Sequence, residues 1–327
     1  MKVTRYKQLE KLFSQQRILV IGDLMLDNYL WGKATRISPE APVPIVHIES
    51  SSSNPGGAGN VACNLANFGA NVTILGVVGD DQNGTILKNV FSENSIDDSG
   101  ILVDPSRPTT VKTRIIAHSQ QVVRADWEVH TPLSDELIRV MLESIHKKIN
   151  DCDALILEDY DKGLFNQELI NGVIEICHQH SIPIYVDPKI NNFLDYQGIT
   201  LIKPNLQETA TVLNFKIEDE EKFLEGGQKL LEKLDCEMVL ITRGEKGMTL
   251  FDSSGYHHIS TKARKVHDVS GAGDTVIATF CLAHISGASG VEATTLANYA
   301  AGRVCEEVGV VPISKEKLHE IIVHHNS

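Results

Sequence analysis

The chain has 327 residues, room for one large α/β domain or two smaller ones, and 42% of them are apolar, enough for a sizeable core. A formal net charge of −13 excludes a protein that coats nucleic acid or an anionic membrane surface, yet leaves room for a small anionic ligand held by local amides and cations. No apolar run reaches the roughly 18 residues of a membrane span, stretch 1–17 lacks an apolar signal core, and six scattered cysteines form no CxxC pair. The expectation is a cytoplasmic protein with reduced cysteines in its core.

Arg17–Gly22 is a short apolar run ending in Gly22-Asp23, the pattern of a buried first strand. Asp27 follows closely. Carboxylates at the C-terminal edge of a parallel sheet face the ligand crevice, so these two either bind sugar hydroxyls or stand as solvated loop acids. Residues 29–50 break the pattern with two strands around a Pro-rich loop bearing Arg36, Ser38 and Glu40, which reads as a lid. Residues 50–54 read as a polar linker. Beyond it, Gly56-Gly57-Ala58-Gly59-Asn60 opens a helix closely enough for backbone to meet a ligand, and the Asn60 amide can bond a hydroxyl both ways. Neither GxGxxG spacing nor a Walker lysine is present, which argues against a dinucleotide oxidoreductase or a P-loop.

A strand at 72–78, a helix at 83–91 and an extended segment at 96–103 come next. Segments 110–117 and 121–126 alternate as a hairpin and, with 29–50, make a small sheet of about four strands. Lys112, Arg114 and Arg124 lie on it, with Gln121. They are either a solvated edge or, better suited to an acidic protein, the grip on an anionic substrate. From residue 130 the α/β alternation is regular, and polar residues follow strand after strand: Asp159 and Lys162, then Asp187 and Lys189, then Asn205 and Glu208, then Thr242, Arg243, Gly244 and Gly247. Asn205 and Glu208 share one helix face, suited either to oxygen ligation of Mg²⁺ or to a capping box.

The stretch from His267 to Thr275 runs into an apolar helix. Gly271, Ala272 and Gly273 leave the helix-start amides open to an anion, with Asp274 beside them. Phosphoryl transfer to an alcohol needs that combination: a hole for the moving phosphoryl group and a carboxylate for the hydroxyl proton. The same residues would equally make a plain glycine turn with an early helical acid.

Taken together, Gly22-Asp23 with Asp27, the 56–60 turn, Asn205 with Glu208, and 268–275 resemble, in order and spacing, the ribokinase-like (PfkB) sugar kinases over about residues 10–320. Residues 36–44, Lys112 and Arg114 with Gln121 and Arg124, Asp159-Tyr160 with Lys162-Gly163, and Asp187-Pro188-Lys189 look most like the subfamily that phosphorylates C1 of D-glycero-β-D-manno-heptose 7-phosphate in ADP-heptose biosynthesis. The resemblance implies a single α/β domain over 1–327: a doubly wound, mostly parallel sheet flanked by helices, with a lid from two insertions at about 29–50 and 108–128. It implies ATP and Mg²⁺, with Asp268 a candidate for a monovalent-cation site.

By position, Asp274 would be the base, and Gly271, Ala272 and Gly273 the anion hole. Asp27, Gly57, Asn60, Arg36, Ser38, Lys112, Arg114, Gln121, Arg124, Asp159 and Lys162 would meet the sugar phosphate. Asn205, Glu208, Lys189, Thr242, Arg243, Gly244, Gly247 and Asn298 would meet the nucleotide, with Asn205 and Glu208 on Mg²⁺ through water. The expectation is a stand-alone kinase serving lipopolysaccharide core synthesis and pairing as a homodimer through the lid. Its partners would be the sugar phosphate and ATP, with no nucleic acid and no membrane. The alternatives are a kinase of the same fold acting on fructose phosphate, ribose or a nucleoside, and a non-catalytic sugar-phosphate or nucleotide sensor.

Overall fold

The computed structural model describes residues 1–118, 120–261, 267–307 and 309–324. Helix α1 (Val3–Phe13) leads to β1 (Arg17–Gly22), which passes directly into the long β2 (Leu24–Ile37) and its partner β3 (Pro44–Gly57). Next come α2 (Ala58–Asn67), β4 (Asn71–Val78), α3 (Gln82–Glu93), β5 (Asp97–Val103) and the hairpin β6 (Thr110–Ala117) with β7 (Gln120–Trp127). The alternating part holds α4 (Asp135–Lys148), β8 (Ala154–Glu158), α5 (Gln167–His180), β9 (Ile184–Asp187), β10 (Leu201–Ile202), α6 (Leu206–Val212), α7 (Glu220–Leu234) and β11 (Met238–Thr242). Then β12 (Met248–Asp252), β13 (Gly255–Ile259), α8 (Ala272–Ile285), α9 (Gly290–Val304) and α10 (Lys315–His324) close the chain.

Nine strands form the main sheet in the order β13-β12-β11-β10-β9-β8-β1-β4-β5, all running the same way except β12, which pairs antiparallel with both β11 and β13. Its strands are apolar on both faces because both are covered. In β1, Ile18 and Val20 join the core beneath α1, α2, α8 and α9, while Leu19 and Ile21 join the one beneath α4, α5 and α7. Helix α8 is apolar all round and buried from Asp274 to Ala283, as a helix packed on every side must be. The parallel register sets Gly22 beside Glu158 and Glu158 beside Asp187, so their C-terminal ends share one edge.

The second sheet, β3-β2-β6-β7, is the lid. One expectation fails here. Residues 50–54 are not a linker but the middle of the 14-residue β3, with Asn54 opposite Asp27 and Ser52 opposite Tyr29. A strand with little apolar surface to bury carries no period-2 signal; its neighbour in the ladder defines it. Helix α1 and strand β13 are further additions. Among the described residues no helix is long and apolar enough to cross a membrane.

Candidate active site

Gly271 stands at the N-cap of α8 with φ 75°, and a Cβ there would lie 2.6 Å from Asn60 Nδ2. Only glycine lets the turn close so tightly against α2. Asp274, in the first turn of α8, is 2% exposed; its Oδ2 accepts from Asn60 Nδ2 (2.7 Å) and its Oδ1 from the Tyr160 hydroxyl (2.7 Å). Burial pushes the Asp274 carboxyl up to about 6, against the pull of the Tyr160 and Asn60 hydrogen bonds. Asn60 is fixed in turn by Asn64, whose Nδ2 donates to Asn60 Oδ1 (3.1 Å) and whose Oδ1 accepts from Ile313 N (3.0 Å). The result is a preset carboxylate beside the open first-turn amides of a helix.

Beneath it lies charge that the sequence reading names without a role or passes over. Carboxylate oxygens of Glu158, Asp187 and Asp274 lie within 4.8 Å of one another. Asp187 Oδ2 pairs with buried Lys203 Nζ at 2.7 Å, and a Cβ on Gly273 would stand 3.3 Å from that ammonium, so Lys203 borders the anion hole. Glu158 is fully buried, and neither of its oxygens has a partner among the described residues. Burial first, then Asp187 and Asp274, push its carboxyl well above the usual range. The signal for Glu158, Asp187 and Lys203 was their common place just at or after a strand's C-terminal end.

Asn205 caps α6: its Oδ1 accepts from Glu208 N (2.8 Å), and Glu208 Oε2 accepts from Asn205 N (2.8 Å). The capping box is therefore real. Glu208 Oε1 also pairs with Lys189 at 3.1 Å, and the Lys189 ammonium lies 4.9 Å from the Tyr160 ring centroid. The carboxylates of Glu208, Glu158 and Asp187 supply the oxygen donors that suit a hard divalent cation held through water, with the Lys189 and Lys203 ammoniums beside them.

On the lid side Asp27 is buried and paired with Arg114, which lies 5.3 Å from the Tyr29 ring centroid. Burial raises the Asp27 carboxyl, with Arg114 opposing. Tyr29 accepts from Val310 N at 2.9 Å, and Asp268 accepts from Ser270 N (2.9 Å) and Gly309 N (3.0 Å), so lid, turn and 309–310 loop meet. Gly57 (φ 55°) caps α2, where a Cβ would lie 2.7 Å from Asp23 O and 3.5 Å from the Tyr160 ring.

The lid cations already have carboxylate partners within the chain. Lys112 pairs with Asp126 (3.2 Å) and Glu128 (2.8 Å), Lys162 with Glu128 (2.9 Å), and exposed Arg124 with Asp126 (2.8 Å). Gln121 and Arg36 are exposed and Ser38 half-buried, out along the lid. Asp159 has no oxygen turned to the cluster: Oδ1 accepts from Asp161 N (2.8 Å), Oδ2 from Tyr196 (2.8 Å) and Asn192 (3.0 Å), so it braces the loop after β8.

Of the nucleotide set, Thr242 N donates to Pro204 O (3.0 Å), joining the β11 end to the start of α6. Gly244 and Gly247 take positive φ in the tight β11–β12 turn, and Asn298 Nδ2 donates to Ser260 O at 2.7 Å. Arg243 turns away: its guanidinium stacks 3.7 Å from the Phe223 ring centroid and pairs with Glu220 (2.8 Å). It holds α7 to the turn.

Comparison with known proteins gives the family and the fold. A model described as pfkB family carbohydrate kinase matches residues 15–317. The Bifunctional protein HldE of Geobacter metallireducens is 42% identical over 312 residues, covering 94% of this chain and 64% of that protein, so the chain spans under two thirds of the relative's length. Phosphofructokinase-2 from Escherichia coli, solved with substrates and products, superposes with a TM-score of 0.80 at 16% identity over 95% of this chain and 100% of its own. Arabidopsis thaliana ribokinase, complexed with ribose and ATP, gives 0.73 at 18% identity over 94% and 98%.

Proposed function

The chain belongs to the pfkB family of carbohydrate kinases, and from that membership we propose that it transfers the γ-phosphoryl group of ATP to the C1 hydroxyl of D-glycero-β-D-manno-heptose 7-phosphate, giving the 1,7-bisphosphate for ADP-heptose and lipopolysaccharide core synthesis. One observation carries the chemistry: the buried Asp274 carboxylate, fixed by Asn60 and Tyr160 at the start of α8. An alcohol is a poor nucleophile, and a carboxylate with a pKa of about 6 takes its proton as the oxygen attacks. The new bond joins O1 to the γ-phosphorus; the bond to the β–γ bridging oxygen breaks and ADP leaves. Amides of the α8 start and the Lys203 ammonium face the charge that gathers on the moving group. Bound Mg²⁺ would neutralise phosphate charge, and Asn205 and Glu208 would hold it through water.

The choice of heptose rests on the 36–44 and 159–163 patterns, on the relative at 42% identity, and on lysines converging under the lid. Turnover of ATP with Mg²⁺ across heptose 7-phosphate, fructose 6-phosphate, fructose 1-phosphate, ribose and adenosine tests it. Product phosphate on C1 of the heptose alone is the expected result; preference for another sugar would overturn the substrate and keep the kinase. Asp274→Asn should lose about 10²–10⁴-fold in kcat while binding ATP as before. Tight ATP binding by the parent with no turnover on any acceptor would point to a sensor instead.

A further inference from the structure

Glu128, just beyond β7, lies between two lysines from different parts of the molecule. Its Oε2 meets Lys112 Nζ of the lid strand β6 at 2.8 Å, and its Oε1 meets Lys162 Nζ of the β8–α5 loop at 2.9 Å. All three side chains are largely enclosed, at 12%, 13% and 17% exposed. His130 Nε2 stands 3.3 Å from the same Oε1, and Asp126, shared with Arg124, lies 3.2 Å from Lys112. Burial alone would raise the Glu128 carboxyl, but the two lysines hold it down at about 2. A small tetrahedral anion makes the same pair of contacts that this carboxylate makes.

The place suits the far end of a sugar phosphate. Lys112 stands opposite Asp27 in the β2–β6 register. Lys162 N donates to Asp23 Oδ2 (3.2 Å) beside the Gly57 turn, and lies two residues from Tyr160, which holds Asp274. The loop that carries the tyrosine holding Asp274 thus also carries one of the two lysines. Arg114 turns to Asp27 and Arg124 lies half-exposed beside Asp126, whereas Lys112 and Lys162 are enclosed and converge on one carboxylate.

We propose that Lys112 and Lys162 form the subsite for the substrate's distal phosphate and that Glu128 is its built-in competitor, keeping the lysines converged until the phosphate displaces it. This rests on the sugar-phosphate reading above and deepens it. A phosphate of charge about −1.5 to −2 at pH 7 replaces a single negative charge. Because Lys112 belongs to the lid and Lys162 to the core, the exchange also puts the substrate in the bridge between them. A neutral sugar cannot displace Glu128, so the device selects for phosphorylated substrates.

Inorganic phosphate is the probe, titrated calorimetrically into the full chain and into Glu128→Gln. The substitution should tighten phosphate at least tenfold, and adding Lys162→Met or Lys112→Met should abolish the gain. With the phosphorylated sugar, KM should fall several-fold in Glu128→Gln while KM for ATP holds. Unchanged or weaker phosphate binding in a folded Glu128→Gln overturns the proposal, as does a gain that survives loss of either lysine. Glu128→Ser gives the same reading should the glutamine variant not fold. Phosphate binding needs no turnover. Tighter phosphate in Glu128→Gln with no sugar phosphate accepted by the parent would sink the kinase substrate and keep the competitor; heptose 7-phosphate turnover with phosphate binding unmoved would do the reverse.

Discussion

Asp274 is caught between two influences that a pH profile separates. Burial drives its carboxyl up, and hydrogen bonds from Tyr160 and Asn60 hold it near 6. Only the ionised form can accept a proton, so kcat/KM should fall about tenfold per pH unit below that value. Tyr160→Phe removes a bond that favours the carboxylate and leaves the burial, so the acid limb should move to higher pH. A limb that stays put would dissociate Tyr160 from the base. Glu158 behaves in the opposite sense as a stability element. Its folded-state pKa is raised, so the stability it contributes is complete below its ordinary 4.5 and drains away as pH rises through the folded value. Glu158→Gln carries no proton to lose. In metal-free buffer the Tm difference between variant and parent should therefore shift in the variant's favour from pH 5 to pH 8; a pH-independent difference would reject the idea.

At the scale of elements, α6 shows how a motif can be read two ways and be both. The Asn205–Glu208 pair is a capping box by its hydrogen bonds, and the same side chains face the proposed Mg²⁺ site. Asn205→Ala should cost about 1 kcal/mol of stability and also raise KM for MgATP. Asn205→Ser keeps a cap, so it should recover most of the Tm and little of the KM. If Ser restores both equally, the cap is the whole role. The parallel strands and α8 were legible because apolar runs and glycine punctuation leave a mark in the text. Helix α1 left one too, in the buried Tyr6, Leu9 and Phe13 at spacings of three and four, hidden within a stretch read only for targeting. The serine-rich middle of β3 left none. The site divides the same way. Asp274, Asn60 and Gly271 announce themselves through glycine context, whereas Glu158 and Lys203 reach the cluster only through β8 and β10 lying next to β9. The pairing of lid cations with Asp126 and Glu128 depends on the β6–β7 register, which no motif encodes.

For the whole molecule, the surface feature that most affects assembly is the lid's outer side. Every residue of β7 is exposed, including Val122, Val123 and, at 69%, Trp127. Ile37 at the end of β2, Val43 in the loop after it and Ile48 in β3 add apolar surface. An edge strand with an exposed tryptophan and unpaired backbone groups invites pairing with another chain unless something covers it. A second copy is the economical cover, because an isologous lid-to-lid contact closes on itself and removes both edges at once. It would also steady β6 and β7, and with them Lys112 and Glu128, which ties assembly to substrate binding. Sedimentation equilibrium at micromolar concentration should give a dimer. Val123→Arg with Trp127→Arg should give a monomer whose KM for the sugar phosphate rises more than its KM for ATP, since the main sheet and the β11–β12 turn lie apart from the lid. A parent chain that sediments as a monomer would refute lid-to-lid pairing; a monomeric variant with both constants unmoved would show instead that the lid orders its lysines without help.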